Sequence, residues 1–464
     1  MLATVAMLVR APARIPRTAP AADISAAQPL MQWSPPATLS ACPATASARV
    51  VFPSDSPRHS TGQGAVIWSA SSACPGGEGA RVAGIGASER PGAASIPHTA
   101  AGQKIGPRAP LAASAGPHGQ IVIAGASPAT PTDGPGNRVL IQGTAGGPFT
   151  PLQTPGGSAT PIALTTAYLG DLAIASPPAG LHSRGGLNVH VERFFAHRFV
   201  RNVSAHTAGR GSLQALTLAM DFRSEALAVW AQRGAIYARL VTNKGAVRPL
   251  QRLASVGSNP RIAALLSDDN RAIVAWADQH GTQTSIYVDR SAPGVHFSSP
   301  QLLERFNDPD GLSSPAASPS LVRLSSESVL LAWAGAAAGH WVVRSAPVDL
   351  NGVQTIDTFA APGADARLAG LASGPDDDAL LLWTEPLPTA GGLPDLARQA
   401  IFAARGTDAG PGRASFDEPE QVAPPGPVND PTVALDPSSD RALAVWQGEA
   451  AKIEYSIRGA STGP

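Results

Sequence analysis

Charge is scarce in this 464-residue chain: 15% of the residues are Asp, Glu, Lys or Arg, and the 34 basic residues equal the 34 acidic ones. That balance leaves no global basic field for a nucleic-acid backbone and no acidic tail, so nucleic acid is not an expected partner. Long apolar runs are missing too. None approaches the ~20 residues that cross a bilayer, so no membrane span is expected. The first nine residues, MLATVAMLV, are apolar but short and lack a basic flank. Residues 1–30 therefore read either as a poor or truncated secretion signal or as an Ala/Pro-rich leader. Cysteine is limited to Cys42 and Cys74, compatible with one disulfide in an oxidising compartment or with two free thiols. No glycine-rich phosphate loop, His-x-x-x-His pair or nucleophile elbow occurs. Zinc-dependent and nucleophilic hydrolysis are disfavoured accordingly, and no cofactor or metal is expected.

What the chain has in excess is turn chemistry, with 47 glycines and 45 prolines. Between the turns, one phrase recurs. Glu225 to Trp230, Arg271 to Trp276, Ser328 to Trp333, Asp378 to Trp383 and Arg441 to Trp446 are apolar runs closing on tryptophan, and Gly64 to Trp68 is a shorter relative. Around each run the pattern reads as four short strands, for example Leu213 to Met220, Ala226 to Trp230, Ala235 to Val241 and Val247 to Ala254. Counting second strands gives eight copies, starting near residues 64, 120, 171, 225, 271, 328, 378 and 441. Their spacing of about 45 to 63 residues suits a four-stranded antiparallel sheet with its turns.

The last copy stops after three strands, because Arg458 is followed by only a few residues. A fourth strand stands alone at the other end of the chain. Trp33, Pro36 and Leu39 repeat the spacing of Phe297, Pro300 and Leu303 and of Phe416, Pro419 and Val422, which close internal copies. The expectation is an all-β single domain over residues 31–464: an eight-bladed β-propeller of four-stranded antiparallel blades, closed by the N-terminal strand completing the last blade. Seven blades is the alternative. The chain resembles β-propellers of the WD-repeat-like and sialidase-like kind found in secreted bacterial proteins. The resemblance is architectural: Trp230, Trp276 and Trp333 are followed by Ala where a WD repeat has Asp, and no Asp-box occurs. No family's catalytic residues carry over.

The repeated tryptophans read as filling between blades, in preference to sugar stacking. Arg239, Arg290 and Arg458, echoed by Arg344 and Arg405, read as a third-strand series on one face, making ion pairs. In a propeller the second-to-third-strand loops and the links to the next blade share one face. The polar candidates there are Asp278, His280, His340, Glu385 and Asp395 as ligand-binding residues, with Asp133, His182, Arg184, Asp308 and Asp310 beside them. The acidic segments 267–270, 374–378 and 436–440 and the Asn307–Gly311 segment read as turns before calcium sites. Cys42 and Cys74 both fall near the ring seam, where a disulfide would lock it. Together these features predict a monomeric, secreted or surface-associated platform that binds a protein or a carbohydrate without evident catalysis. The alternative is a glycan-active hydrolase or lyase with acids in a central funnel.

Overall fold

The computed structural model describes residues 32–459, except for short internal segments of which the longest are 54–63, 98–111, 127–137, 153–161, 178–186 and 310–317. Residues 1–31, with the expected leader, and Asp133, His182, Arg184 and Asp310 lie outside the described residues. The described chain is all-β, with antiparallel sheets and a single 3-10 turn at Glu449–Ala451. No described helix is long and apolar enough to cross a membrane.

Eight sheets follow one another along the chain. The fourth is typical: Leu213–Met220, Ala226–Gln232, Ala235–Val241 and Gln251–Ser255 pair in chain order. The first has three strands, Ala44–Val51, Gly64–Ala70 and Gly79–Ile85. In the fifth, sixth and seventh the outermost strand is in two pieces, such as His296–Phe297 and Gln301–Asn307. In the fifth and seventh, Pro300 and Pro419 sit at the break, where a residue without an N–H cannot join a ladder.

The eighth sheet, Asn429–Leu435, Ala442–Gln447 and Ile453–Arg458, takes its fourth strand from the N-terminus: Ala37–Ser40 pairs with Ile453–Arg458, matching Ala37 to Tyr455. Trp33 bridges to Arg458, and Pro36 marks the break before Ala37–Ser40, the layout of the internal fourth strands. Ser34 adds three bonds across the junction, its N–H donating to Ile457 O at 2.8 Å, its hydroxyl accepting from the Ile457 N–H at 3.1 Å and its carbonyl accepting from the Ser456 hydroxyl at 2.7 Å.

Packing between sheets follows from strand alternation, because each second strand is buried on both faces. Ala226, Ala228 and Trp230 face the third sheet, meeting Ala173, Ala175 and Val189. Leu227, Val229 and Ala231 face the fifth, meeting Ala272, Val274 and Trp276. The same division repeats onward, so Trp276, Trp333, Trp383 and Trp446 each point at the preceding sheet. All are at most 1% exposed, as filling residues must be. Trp68 of the first sheet points the same way, into Leu443 and Val445 of the eighth. The first strands also touch in sequence, from Ala44–Val51 round to Asn429–Leu435, which in turn touches Ala44–Val51.

The third-strand arginines make structural bonds, but they do not share a face. Arg344 lies opposite Trp333 and pairs with Glu304 of the fifth sheet at 2.9 Å, and Arg458 reaches back to Glu420 of the seventh with two bonds of 3.1 Å. Arg290, an odd number of residues out of step, points the other way and donates to the Asp349 carbonyl of the sixth sheet. Arg405 bonds Asp378 within its own sheet. The repeats have drifted in register, and with period-2 geometry a one-residue drift reverses the face. Among the acidic turns, 267–271 is a hairpin in which Ser267 N–H donates to Arg271 O and Asn270 takes a φ of 61°. Residues 375–377 and 437–440 lie outside the described residues.

Asp289, on the third strand of the fifth sheet, is 1% exposed, and its Oδ2 has no hydrogen-bond partner. Burial pushes its pKa up to about 6, against the partial opposition of bonds from Arg290 N–H and the Ser298 hydroxyl. A carboxyl whose folded-state pKa exceeds its unfolded value supports the fold below about pH 4 and loses that support as pH rises through about 6. Asp289→Asn should therefore raise stability at pH 7.5 by about 1 kcal/mol, after allowing for solvent screening, and give no gain at pH 4. Urea unfolding at the two pH values checks this; an equal effect at both would reject it.

Candidate functional site

The second and third strands of sheets five to seven are long, reaching 9 and 10 residues in the fifth and 11 and 15 in the seventh. Their hairpins meet the links that lead to the next sheet. Asp308 N–H donates to Thr282 O at 2.8 Å, Ala366 N–H to Trp341 O at 2.8 Å, and the Gln399 side chain to Val428 O at 3.1 Å. Hairpins and links therefore lie on one face, as propeller geometry requires.

The five expected ligand-binding residues are all on this face, within extended strands and not in loops. Asp278 and His280 end the strand Ala272–His280, and His340 begins His340–Asp349. Glu385 pairs opposite Ala400 and Asp395 opposite Leu387, in the extended hairpin of the seventh sheet. The alternation of apolar residues fades before these positions, so the strand ends could not be read from it.

Most of the acids hold the face together. Asp278 is 8% exposed at its side chain; Oδ1 accepts from Gly257 N–H at 2.7 Å, and Oδ2 meets His280 Nε2 at 3.1 Å. Gly257 must be glycine, because a Cβ there would collide with the backbone of Gln279. Asp308 accepts from Thr284 and Gln279, one bond to each oxygen. That is the capping role of a turn acid, with Asp310 and Gly311 outside the described residues. Glu385 accepts from the indole of Trp383 at 2.9 Å, and Asp395 Oδ1 accepts from Ala397 N–H.

A fifth acid, Asp365, escaped the sequence reading. It lies in the link before Arg367–Ser373, accepts from Trp341 N–H at 2.9 Å, and stands 3.5 Å from His340 Nδ1. Its signal was positional only: a single acid just ahead of a first strand. Sheets five and six thus repeat one device, an aspartate, buried in Asp278 and partly buried in Asp365, that accepts a backbone N–H and stands beside an outward-facing histidine. The His280 side chain is 69% exposed and that of His340 45%. Two oriented imidazoles on neighbouring hairpins can donate and accept hydrogen bonds. Among the described residues, no group of three or more His, Cys, Asp or Glu could hold a metal ion.

No family profile matches this chain, and no curated protein matches it. Solved structures with a similar course include the α-L-arabinanase of Penicillium chrysogenum complexed with arabinobiose, 10% identical, covering 78% of this chain and 96% of that one with a TM-score of 0.40. The SapL1 lectin in complex with alpha methyl fucoside is 9% identical over 70% of this chain and 98% of its own, TM-score 0.39. The Aleuria aurantia lectin, described as a six-bladed β-propeller, is 13% identical over 68% and 96%, TM-score 0.35. The class is defined here by sheet order and packing, independently of these likenesses: consecutive antiparallel meanders stacked face to face through their first and second strands make this an all-β protein of the β-propeller type.

The two members of each His–Asp pair separate by substitution. Asp278→Ala should cost about 1 to 3 kcal/mol, because it strands the Gly257 N–H. His280→Ala, at an exposed position, should stay within about 0.5 kcal/mol of the parent. Chemical unfolding of the two variants measures the difference, and equal losses would contradict the anchoring role of Asp278.

Proposed function

We propose that the chain forms a closed eight-bladed disc that acts as a secreted or surface-associated, monomeric binding platform, offering the hairpin face of blades five to seven to a glycan. The observation that carries this reading is the repeated His–Asp pair. In each pair an acid held by a backbone N–H stands beside an exposed imidazole, at 3.1 Å in one and 3.5 Å in the other, and two such groups on adjacent blades suit the hydroxyls of a sugar. Binding is favoured over hydrolysis because the acids on this face are engaged. A glycosidase needs two carboxyls held for acid and base work across one bond, whereas both oxygens of Asp278 and both of Asp308 already accept hydrogen bonds. Closure is supported by the borrowed strand Ala37–Ser40 and by the apolar cluster that joins the first and eighth sheets.

The test is a glycan and polysaccharide array with product analysis, run on the parent and on the His280→Ala, His340→Ala double variant. The parent should retain at least one glycan without shortening it, and the double variant should lose that retention. Released sugar, or equal retention by both proteins, would overturn the reading.

The closure reading extends to the two cysteines. Cys42 follows the borrowed strand, Cys74 lies in the turn after Gly64–Ala70, and the Cys74 thiol is 3.8 Å from Pro43 O. The Cys74 thiol, as a hydrogen-bond partner, heads the causes that push the Cys42 thiol pKa up. Both are free thiols in this structure. We propose that in an oxidising compartment they exchange with oxidised glutathione, forming one S–S bond and releasing two reduced glutathiones. The link would restrict the unfolded chain by about 3 kcal/mol. Non-reducing peptide mapping after refolding in a glutathione buffer should find the Cys42–Cys74 crosslink, with a melting midpoint above that of Cys74→Ser; its absence would dispose of the seam lock.

A further inference from the structure

The junction between the borrowed strand and the first sheet brings two sulfurs together. Cys42 sits in the bend between Ala37–Ser40 and Ala44–Val51, its N–H donating to Ser40 Oγ at 3.2 Å. Cys74 sits in the turn between Gly64–Ala70 and Gly79–Ile85, and Ser71 N–H of that turn donates to Pro43 O at 3.0 Å. Backbone bonds and glycines shape the turn. Cys74 N–H donates to Ser71 O at 3.2 Å and Gly77 N–H to Cys74 O at 2.8 Å, while Gly76 and Gly77 take φ values of 79° and 77°, which suit glycine. The two thiols are hydrogen-bonded to each other. Cys74 is 5% exposed, and the other partners of its sulfur are weak, Ser71 Oγ at 3.9 Å and Pro43 O at 3.8 Å.

A buried cation stands beside the pair. Arg81, 6% exposed, turns its guanidinium into the same turn and donates to the carbonyls of Pro75 at 3.1 Å, Ala80 at 3.1 Å and Gly79 at 3.4 Å, and to that of Gly77. Among the described residues no carboxylate pairs with it. Carbonyl dipoles solvate a guanidinium but leave its charge in place, and a buried charge without a counter-ion is unfavourable. That charge is felt at the Cys42 sulfur, where it opposes the upward push of the Cys74 hydrogen bond and of burial. The turn that carries Cys74 thus holds an uncompensated positive charge next to two uncrosslinked thiols.

We propose that the reduced pair is a two-coordinate site for a soft monovalent cation, copper(I) or silver(I), with Cys42 Sγ and Cys74 Sγ as ligands and Arg81 as the countercharge. Each thiol gives up its proton to solvent and forms one bond from sulfur to the metal, with no change of oxidation state. The product, a bis-thiolate complex of a monovalent ion, carries one net negative charge, which Arg81 offsets. Thiolates select soft ions. Among the described residues no third His, Cys, Asp or Glu completes a metal-holding group, so the pair falls short of the ligand set of a structural zinc site. Because Cys42 follows the borrowed strand and Cys74 belongs to the first sheet, the bound ion ties the N-terminal strand of the eighth sheet to its neighbour. The site is independent of the glycan reading. It shares its residues with the proposed crosslink, which is the oxidised state of the same pair.

The experiment uses the full chain, reduced and kept under argon, and titrated with copper(I) in competition with the chelator bicinchoninate. The parent should withdraw one equivalent of copper(I) and gain a thiolate-to-copper charge-transfer absorption in the ultraviolet. It should also release two protons per ion, read by calorimetry in buffers of different ionisation enthalpy, and its melting midpoint should rise on binding. Cys42→Ser and Cys74→Ser should each lose the withdrawal. Arg81→Gln should weaken it about tenfold, and Arg81→Lys, which keeps the charge, should weaken it less. Melting followed by circular dichroism without copper identifies the variants that fold; Cys42→Ser, at a half-buried position, carries the test if the others do not. Failure of the parent to withdraw copper(I), or undiminished withdrawal by Cys42→Ser, would overturn the site. A crosslink in glutathione buffer without copper binding would remove the metal site alone, and copper binding without that crosslink would remove the seam lock alone.

Discussion

Everything in this molecule depends on second strands that are apolar on both faces. A half-buried strand needs one partner surface; a strand such as Ala226–Gln232, buried along its whole length, needs two. Each sheet must therefore be sandwiched, and a row of sandwiched sheets has a raw face at each end. The meeting of Trp68 and Val66 with Leu443 and Val445 covers those two faces with each other. The pairing of Ala37–Ser40 with Ile453–Arg458 does the same for the edge hydrogen bonds. The contact between the first and eighth sheets thus serves twice, once for apolar surface and once for backbone polarity.

Each large indole buried between sheets brings a polar atom with it, and the repeats solve this differently. Trp333 donates to Glu304 of the neighbouring sheet, Trp383 to Glu385 two residues along its own strand, and Trp446 to Glu454 directly across the ladder. Trp68, Trp230, Trp276 and Trp341 find no protein acceptor for Nε1. An unsatisfied buried donor costs about 1 to 3 kcal/mol, which the area buried by an indole exceeds or matches. In Trp230 and Trp276 the stacked tyrosines 237 and 287 occupy the place where an acceptor could stand, with ring centroids 5.8 and 5.4 Å apart. The tryptophan position is held by volume, and a polar complement is supplied, from a different place each time, only in Trp333, Trp383 and Trp446.

The same economy governs the hairpin face. Links between sheets run over the surface and carry N–H groups that strand pairing does not use, and buried acids collect them. Acids so committed make a stiff frame, and stiffness is what an exposed histidine needs to present its nitrogens in fixed directions. The acids that a sequence search selects as chemistry are here mostly scaffold, and the residues they orient are the ones that face outward.

Strand order within the sheets and the pairing of the N-terminal strand with the last one were legible in the sequence because they rest on local periodicity and on spacing along the chain. The Trp33, Pro36, Leu39 phrase named its own place in a sheet more than 400 residues away in sequence, since an aromatic, a ladder-breaking proline and an aliphatic residue impose the same edge geometry wherever they occur. The faces of Arg290 and Arg344 were not legible, because a single residue of register drift reverses a side chain and leaves no trace in composition. Nor were the anchoring of Asp278 by Gly257 or the pairing of His340 with Asp365. Those relations join residues from different sheets, and only the curvature that brings consecutive sheets together decides which of them meet.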